Sequence, residues 1–280
     1  MPFTLIKGKF QVVGYQPDGD SLRFEVKNPK IWNKLTGRMV KLTKGRAQLR
    51  FEGIDALETH YKGWHQPEKL AHKARDFLLR QAGFENVIWG PKKNKVTSVK
   101  KDGLPGYVFA RTIEKYGRPV CFVFAGKRKG RTGQKLHLSV AELKKSLNYK
   151  LLAAGVAYPI YYDTLFYDFR NAMTLTVKRA RKNEGDIWKE DKTSGVEVKN
   201  RTSIEDKYHF FPKLFRRMVE YMKTHNNSIA GFLDYDSLKK EQVIILSKGH
   251  KTHFDNVLYM KGKKVGLKYK PEDLIFIMVP

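Results

Sequence analysis

Cysteine is almost absent from this chain, and long hydrophobic runs are missing altogether. Cys121 is the single cysteine among 280 residues, so the chain can form neither an intrachain disulfide nor a metal site built on several cysteines. No apolar run approaches the length of a membrane-spanning helix, and the N-terminal segment lacks the uninterrupted hydrophobic core of a signal peptide. We therefore expect no membrane-spanning helix. The sequence predicts a cytoplasmic protein or, if a leader has been removed, an exported one.

Acidic residues are also in short supply. The chain has 28 Asp and Glu against 55 Lys and Arg, which gives a net charge of +27 and a pI of about 9.9. Such an excess of positive charge favours a polyanionic partner. Nucleic acid, either DNA or RNA, is the first candidate. An anionic membrane surface or a ribosome would attract the same charge, and binding to either would not depend on calcium.

Short β-rich runs bounded by Gly and Asp dominate the first half of the chain. They cover residues 9–15, 21–26, 46–51, 87–89, 107–113 and 118–124. A helix is predicted between the third and fourth runs, and helices follow the last one. This order predicts an α+β fold built on a small five-stranded Greek-key barrel with three helices.

Three segments of the first part have helical signals. Residues 66–81 begin with a Pro near the first turn and continue with apolar residues at helical spacing. Residues 139–154 open with Ser139 and Glu142 three positions later, which is a capping box. Residues 169–182 form the third predicted helix.

Composition suggests a second, smaller domain after the barrel. We expect a first domain at residues 1–192, a linker rich in Lys, Ser and Gly at 193–202, and a small α+β domain at 203–280. Within the last region we predict a helix at 210–224 and strands at 243–246, 257–260, 265–269 and 274–279. No motif in this region indicates its role.

Three basic segments interrupt or follow the predicted strands. They are residues 28–45, residues 91–106 with Lys92 and Lys93, and the run 127–131. A single basic loop is often only solvated surface. Three of them on one barrel predict a rim that binds phosphate groups.

The most informative residues lie in three short motifs. These are Asp18-Gly19-Asp20-Ser21, the segment from Arg50 through Asp55 to Glu58, and Lys115-Tyr116-Gly117-Arg118. Each motif alone has an ordinary structural explanation, since Asp and Gly are common in turns. Together they supply arginines, two carboxylates suited to a hard cation and a candidate base, which are the parts needed to cut a phosphodiester.

In this order, with helices in the corresponding gaps, the motifs resemble those of the staphylococcal nuclease (thermonuclease) family. The resemblance covers residues from about 9 to 191 and does not extend to the C-terminal region. It implies an OB-fold barrel and a calcium-dependent nuclease that hydrolyses DNA and RNA with little sequence preference.

The resemblance also implies a role for each site residue. Calcium would be bound by Asp20, Asp55 and the main-chain carbonyl of Ala56. Glu58 would orient or deprotonate the attacking water, and Arg50 and Arg118 would clamp the phosphate. Lys115, Tyr116 and Tyr161 would contact the nucleotide. Burial of either tyrosine ring in the core is an equal alternative.

The sequence is also compatible with other functions. The chain has Ala56-Leu57 where the family commonly has Thr-Pro, which leaves the strength of metal binding open. A nucleic-acid-binding barrel without catalysis would preserve the fold and the basic charge. His250 and His253 have the spacing of a zinc-binding pair, but no further Cys or carboxylate completes a zinc site around them.

Overall fold

The structure is a computed structural model that describes residues 2–91 and 94–278. The helices are α1 Glu68–Ala82, α2 Val140–Leu143, α3 Leu147–Ala153, α4 Tyr167–Lys182, α5 Pro212–Thr224 and α6 Asp236–Lys239. The strands are β1 Phe3–Gln11, β2 Ser21–Glu25, β3 Thr36–Gly37, β4 Leu42–Thr43, β5 Arg46–Phe51, β6 Ile54–Asp55, β7 Ile88–Trp89, β8 Val96–Ser98, β9 Leu104–Ile113, β10 Pro119–Ala125, β11 Lys135–Leu136, β12 Tyr158–Pro159, β13 Tyr161–Tyr162, β14 Val196–Glu197, β15 Gln242–Ile245, β16 His250–His253, β17 Leu258–Lys261, β18 Lys264–Leu267 and β19 Leu274–Phe276. The predicted α+β class is confirmed.

The chain forms two compact units. The first, which we call the barrel unit, comprises residues 2–52 and 75–151, and the second unit comprises residues 53–74 and 152–278. This division differs from the predicted domains, because residues 53–74 and 152–191 group with the C-terminal region. In the described part of the chain, no helix is both long and apolar enough to cross a membrane.

The barrel unit contains a closed, five-stranded mixed β-barrel. Its strands follow the order β1-β2-β5-β10-β9, and β9 pairs with β1 to close it. All neighbours are antiparallel except β5 and β10, which are parallel. The predicted barrel and its five-strand count are thus confirmed.

Side-chain alternation explains why these segments form the barrel wall. In β5, Ala47, Leu49 and Phe51 are buried while the intervening residues are half-exposed, which is the period of a strand with one face on a core. β10 is buried along almost its whole length, as expected for a strand covered on both faces. Cys121 lies there, and burial raises the pKa of its thiol well above the ordinary value.

Two of the predicted strands are placed differently. The run at 87–89, predicted as the fourth barrel strand, forms β7, which pairs with β8 in a separate two-stranded sheet. Ile88 is 57% exposed, so the run has no apolar face for the barrel core. The first strand lies at Phe3–Gln11 rather than 9–15, since the buried residues Phe3, Leu5 and Ile6 extend it toward the N-terminus. Lys92 and Lys93 lie outside the described residues.

The predicted helix at 139–154 is divided into α2 and α3. Its capping box is present, with Ser139 Oγ accepting from the Glu142 backbone N–H at 3.2 Å and the Glu142 carboxylate accepting from the Ser139 N–H at 3.2 Å. The helix is interrupted where Ser146 Oγ accepts from the Tyr149 backbone N–H at 3.1 Å, because a serine hydroxyl competes with the helical backbone bonds. The other two predicted helices are confirmed as α1 and α4.

The second unit combines helices α4 and α5 with two small sheets. One sheet has the order β13-β19-β15-β16 and the other β14-β18-β17. Residues 193–202, expected to be a linker, include β14, which pairs with β18, and Val196 and Val198 are buried. The strand predicted at 274–279 is observed at Leu274–Phe276, and Val279 lies outside the described residues.

Candidate functional site

Three predicted site residues meet at one end of the barrel. The start of β2 lies beside the end of β5, where Ser21 pairs with Arg50. The end of β5 lies beside the start of β10, where Arg50 pairs with Val120. The Phe51 backbone N–H also donates to the carbonyl of Asp20 at 3.3 Å. Asp20, Arg50 and Arg118 are therefore brought to one end of three adjacent strands.

Glu114 fixes the turn that carries Arg118. Its Oε1 accepts from Arg118 Nε at 3.0 Å and from the backbone N–H of Tyr116 at 3.2 Å. The Glu114 side chain is buried, whereas that of Arg118 is 35% exposed. This pairing orients the guanidinium while leaving part of it open to solvent. Sequence reasoning missed Glu114, and the four-residue spacing of opposite charges was the available signal.

Tyr116 stands at the tip of the same turn. Its ring is 64% exposed, and the Lys115 Nζ and Arg118 Cζ lie 5.2 and 5.8 Å from its centroid. An exposed ring with two cations near it can stack on a base while the cations neutralise phosphate. Lys115 and Tyr116 are therefore both accessible to solvent, as the predicted nucleotide contacts require.

The basic segment at 28–45 is fixed against this turn. The Lys41 backbone N–H donates to the Gly117 carbonyl at 2.8 Å, and the Arg38 N–H donates to the Ile113 carbonyl at 3.2 Å. A Cβ on Gly117 would lie 2.8 Å from the Lys41 nitrogen, so glycine permits this close approach. We define the basic rim as Arg38, Met39, Lys41, Lys115, Tyr116 and Arg118.

Asn148 connects the chain after Arg50 to β10. Its Nδ2 donates to the carbonyls of Glu52 and Cys121, each at 2.9 Å, and its Oδ1 accepts from the Val123 N–H at 2.9 Å. The side chain is fully buried. Asn148 thus satisfies three buried backbone groups and fixes the end of β5. Sequence reasoning gave no signal for it, since its partners lie far along the chain.

Asp55 and Glu58 belong to the second unit, where both bind Arg216 of helix α5. The guanidinium is bidentate on Asp55, with Nη1 to Oδ1 and Nη2 to Oδ2 each at 2.9 Å. Nη1 also donates to Glu58 Oε1 at 2.5 Å. The side chains of Asp55, Glu58 and Arg216 are 5%, 14% and 22% exposed. We call these three residues the Arg216 cluster.

The electrostatics of the Arg216 cluster keep the guanidinium charged. Burial alone would lower the pKa of Arg216, but attraction to Asp55 and Glu58 outweighs burial and holds that pKa well above its ordinary value. A bidentate arginine–carboxylate pair is among the stronger polar contacts in proteins. Sequence reasoning missed Arg216, because it lies 158 residues beyond Glu58 and belongs to no local motif.

Helix α5 is also held by a neighbouring ionic network. Arg217 donates to Glu220 at 2.7 Å and to Glu241 at 3.1 Å. Lys213 pairs with Glu241 as well, and the Tyr61 hydroxyl donates to Glu220 at 2.6 Å. These contacts position α5 without any contribution from Arg216.

The arrangement at Asp55 does not fit a calcium ion. Calcium takes six to eight oxygen ligands in proteins, whereas both oxygens of Asp55 accept hydrogen bonds from a guanidinium. Across residues 2–91 and 94–278, no three His, Cys, Asp or Glu side chains are grouped as metal ligands. The predicted carbonyl ligand Ala56 is buried, and its role stays a prediction. His250 and His253, the candidate zinc pair, lie on β16 with exposed side chains.

Tyr161 is placed in the core and not at a nucleotide-binding surface. Its side chain is fully buried, and its hydroxyl lies 3.0 Å from Thr174 Oγ1. Burial raises the pKa of its hydroxyl. A buried ring has no face open to a base, so the expected nucleotide contact is replaced by a core role.

Comparisons with known proteins add no assignment. No protein-family model matches the chain, and a search of curated proteins finds no significant match. The resemblance to the thermonuclease family therefore stays a prediction from the sequence motifs.

Proposed function

We propose that the protein binds DNA and RNA through the barrel unit, as an OB-type barrel whose strand ends contact phosphates. The observation that supports this best is the meeting of Arg50 and Arg118 at one end of the barrel, with the basic rim fixed beside them. A guanidinium can bind a phosphate through two parallel N–H···O bonds. Two such groups at one strand end suit a phosphodiester backbone.

The chemistry of the basic rim explains why binding would depend little on sequence. Phosphate contacts position a nucleic acid without reading its bases. Stacking on Tyr116 would tolerate any base, because every base has a π-face. The net charge of +27 adds a long-range attraction that does not distinguish sequences.

We propose hydrolysis of the bound phosphodiester as the activity, with the roles that the thermonuclease resemblance implies. Arg50 and Arg118 would stabilise the negative charge that develops on the phosphate, and Glu58 would activate water. A second candidate, binding without cleavage, is favoured by the Arg216 cluster. It explains the two carboxylates through an internal partner instead of a metal ion.

Binding is tested by fluorescence anisotropy with single-stranded DNA, single-stranded RNA and duplex DNA over a range of salt concentrations. The double variant Arg38→Glu/Lys41→Glu changes the rim. The matched control, Lys144→Glu/Lys145→Glu, changes the same charge at two exposed residues of the barrel unit that lie outside the three basic segments. For duplex DNA, a plot of log K against log salt concentration has a negative slope. Each lost phosphate contact should make that slope less steep by about 0.9. Equal losses for both variants would contradict a specific role for the rim.

Cleavage is tested on the same substrates with calcium or with a chelator. Calcium-dependent cutting that falls by orders of magnitude in Glu58→Gln and in Arg118→Ala would support hydrolysis. Salt-sensitive binding without cutting in any divalent cation would favour the binding function. Absence of binding to all three nucleic acids would contradict both.

A further inference from the structure

The positive charge at Asp55 and Glu58 is supplied by the chain itself. Arg216 contacts both oxygens of Asp55 and one oxygen of Glu58. We propose that Arg216 is an internal counter-ion that closes this carboxylate pair to divalent cations, so that a cation can bind there only after the Arg216 side chain has left.

Competition for the same oxygen atoms is the basis of this proposal. A hard cation would need the carboxylate oxygens of Asp55 and Glu58 as ligands. Those oxygens accept hydrogen bonds at 2.5 to 2.9 Å from a planar group that carries one positive charge. A metal ion and the guanidinium cannot occupy this position together, since their charges repel and they require the same lone pairs.

The surroundings allow Arg216 to leave without unfolding its helix. Helix α5 is held by Arg217 with Glu220 and Glu241, and by Lys213 with Glu241. None of these contacts uses Arg216. Its side chain is 22% exposed, and the proposed opening moves the guanidinium into solvent by a change of rotamer. Opening therefore requires a side-chain movement and the loss of three hydrogen bonds.

The cation-binding part of this proposal is independent of nucleic acid. Its consequence for cleavage, an inhibited resting state, rests on the proposed hydrolysis. Calcium binding by the protein alone therefore tests the inference, while nucleic-acid binding and cutting test the proposed function. A failure of one is distinguishable from a failure of the other.

The experiment compares full-length wild type, Arg216→Gln and the control Arg217→Gln by calorimetric titration with calcium and by thermal unfolding with calcium or chelator. Arg217 is a suitable control because it lies next in α5, is 23% exposed and contacts neither Asp55 nor Glu58 by any ion pair described. We expect calcium to bind Arg216→Gln, and a Kd of about 1 mM would raise the Tm of this variant by about 3–6 °C at about 10 mM calcium. Wild type and Arg217→Gln should show no such gain.

Two further variants make the result specific. Arg216→Gln/Asp55→Asn should lose the gain in calcium binding, because one of the two carboxylates is gone. Arg216→Lys keeps the charge but not the bidentate fork, and it should bind calcium more weakly than Arg216→Gln. If Arg216→Gln does not fold, a gain in calcium binding by Arg216→Lys over wild type supports the proposal. Calcium binding equal in wild type and the Arg216 variants, or absent from all of them, overturns it.

Discussion

Removal of Arg216 should strongly destabilise the second unit. In Arg216→Ala, the Asp55 carboxylate would lose its bidentate partner in a site where its side chain is only 5% exposed. Breaking a buried ion pair by removing one partner costs about 3–5 kcal/mol, because the remaining charge loses its compensation. In a unit of about 150 residues, each kcal/mol lowers Tm by about 2–4 °C. We therefore expect Tm to fall by about 6–20 °C in chelator.

A double-mutant cycle separates the Arg216–Asp55 contact from general damage to helix α5. Urea unfolding of Arg216→Ala, Asp55→Asn and the double variant should give a coupling energy of about 2–3 kcal/mol. The same cycle with Arg217→Ala in place of Arg216→Ala should give less than about 0.5 kcal/mol, as expected for side chains without a shared contact. A loss below about 1 kcal/mol for Arg216→Ala, or equal coupling in both cycles, would refute the reasoning.

Asn148, Gly117 and Glu241 each make contacts whose loss can be measured. Asn148→Ala should cost at least about 2 kcal/mol in urea unfolding, since it leaves the Glu52 and Cys121 carbonyls and the Val123 N–H without their partner; an unchanged stability would contradict this. Gly117→Ala should weaken DNA binding more than Gly126→Ala. Both glycines have positive φ, but only a Cβ on Gly117 would clash, at 2.8 Å from the Lys41 nitrogen. Equal affinities of the two variants would refute a role for Gly117 in fixing the basic segment at 28–45. Burial opposes ionisation of Glu241, but the positive charges of Lys213 and Arg217 outweigh burial and lower the pKa of Glu241. The stabilisation of the folded protein by ionised Glu241 should therefore be complete above about pH 4.3, the ordinary pKa of Glu. This stabilisation should be lost as the pH falls through the lowered pKa. Glu241→Gln should flatten this acid limb of a Tm–pH profile, and an unaltered profile would count against the assignment.

Local patterns in the sequence were sufficient for much of the fold. β-rich runs of alternating residue type identified β2 and β5, helical spacing identified α1 and α4, and the Ser139–Glu142 capping box marked the start of α2. These signals depend on residues within one or two turns or strand repeats of each other. The prediction of a barrel strand at 87–89 was wrong, because three apolar residues can pair in a small separate sheet as easily as in a barrel.

The sequence by itself also determined the net charge and the presence of arginines and carboxylates in motif order. The partners of these residues could not be inferred from the sequence, since they depend on how the whole chain folds. Tertiary structure brought Arg50 and Arg118 to one barrel end through a parallel strand pair, buried Tyr161, and placed Arg216 on Asp55 and Glu58. The physical reason is that ion pairs and burial depend on distances in space, and residues some 160 positions apart share no local periodicity from which such a contact can be inferred.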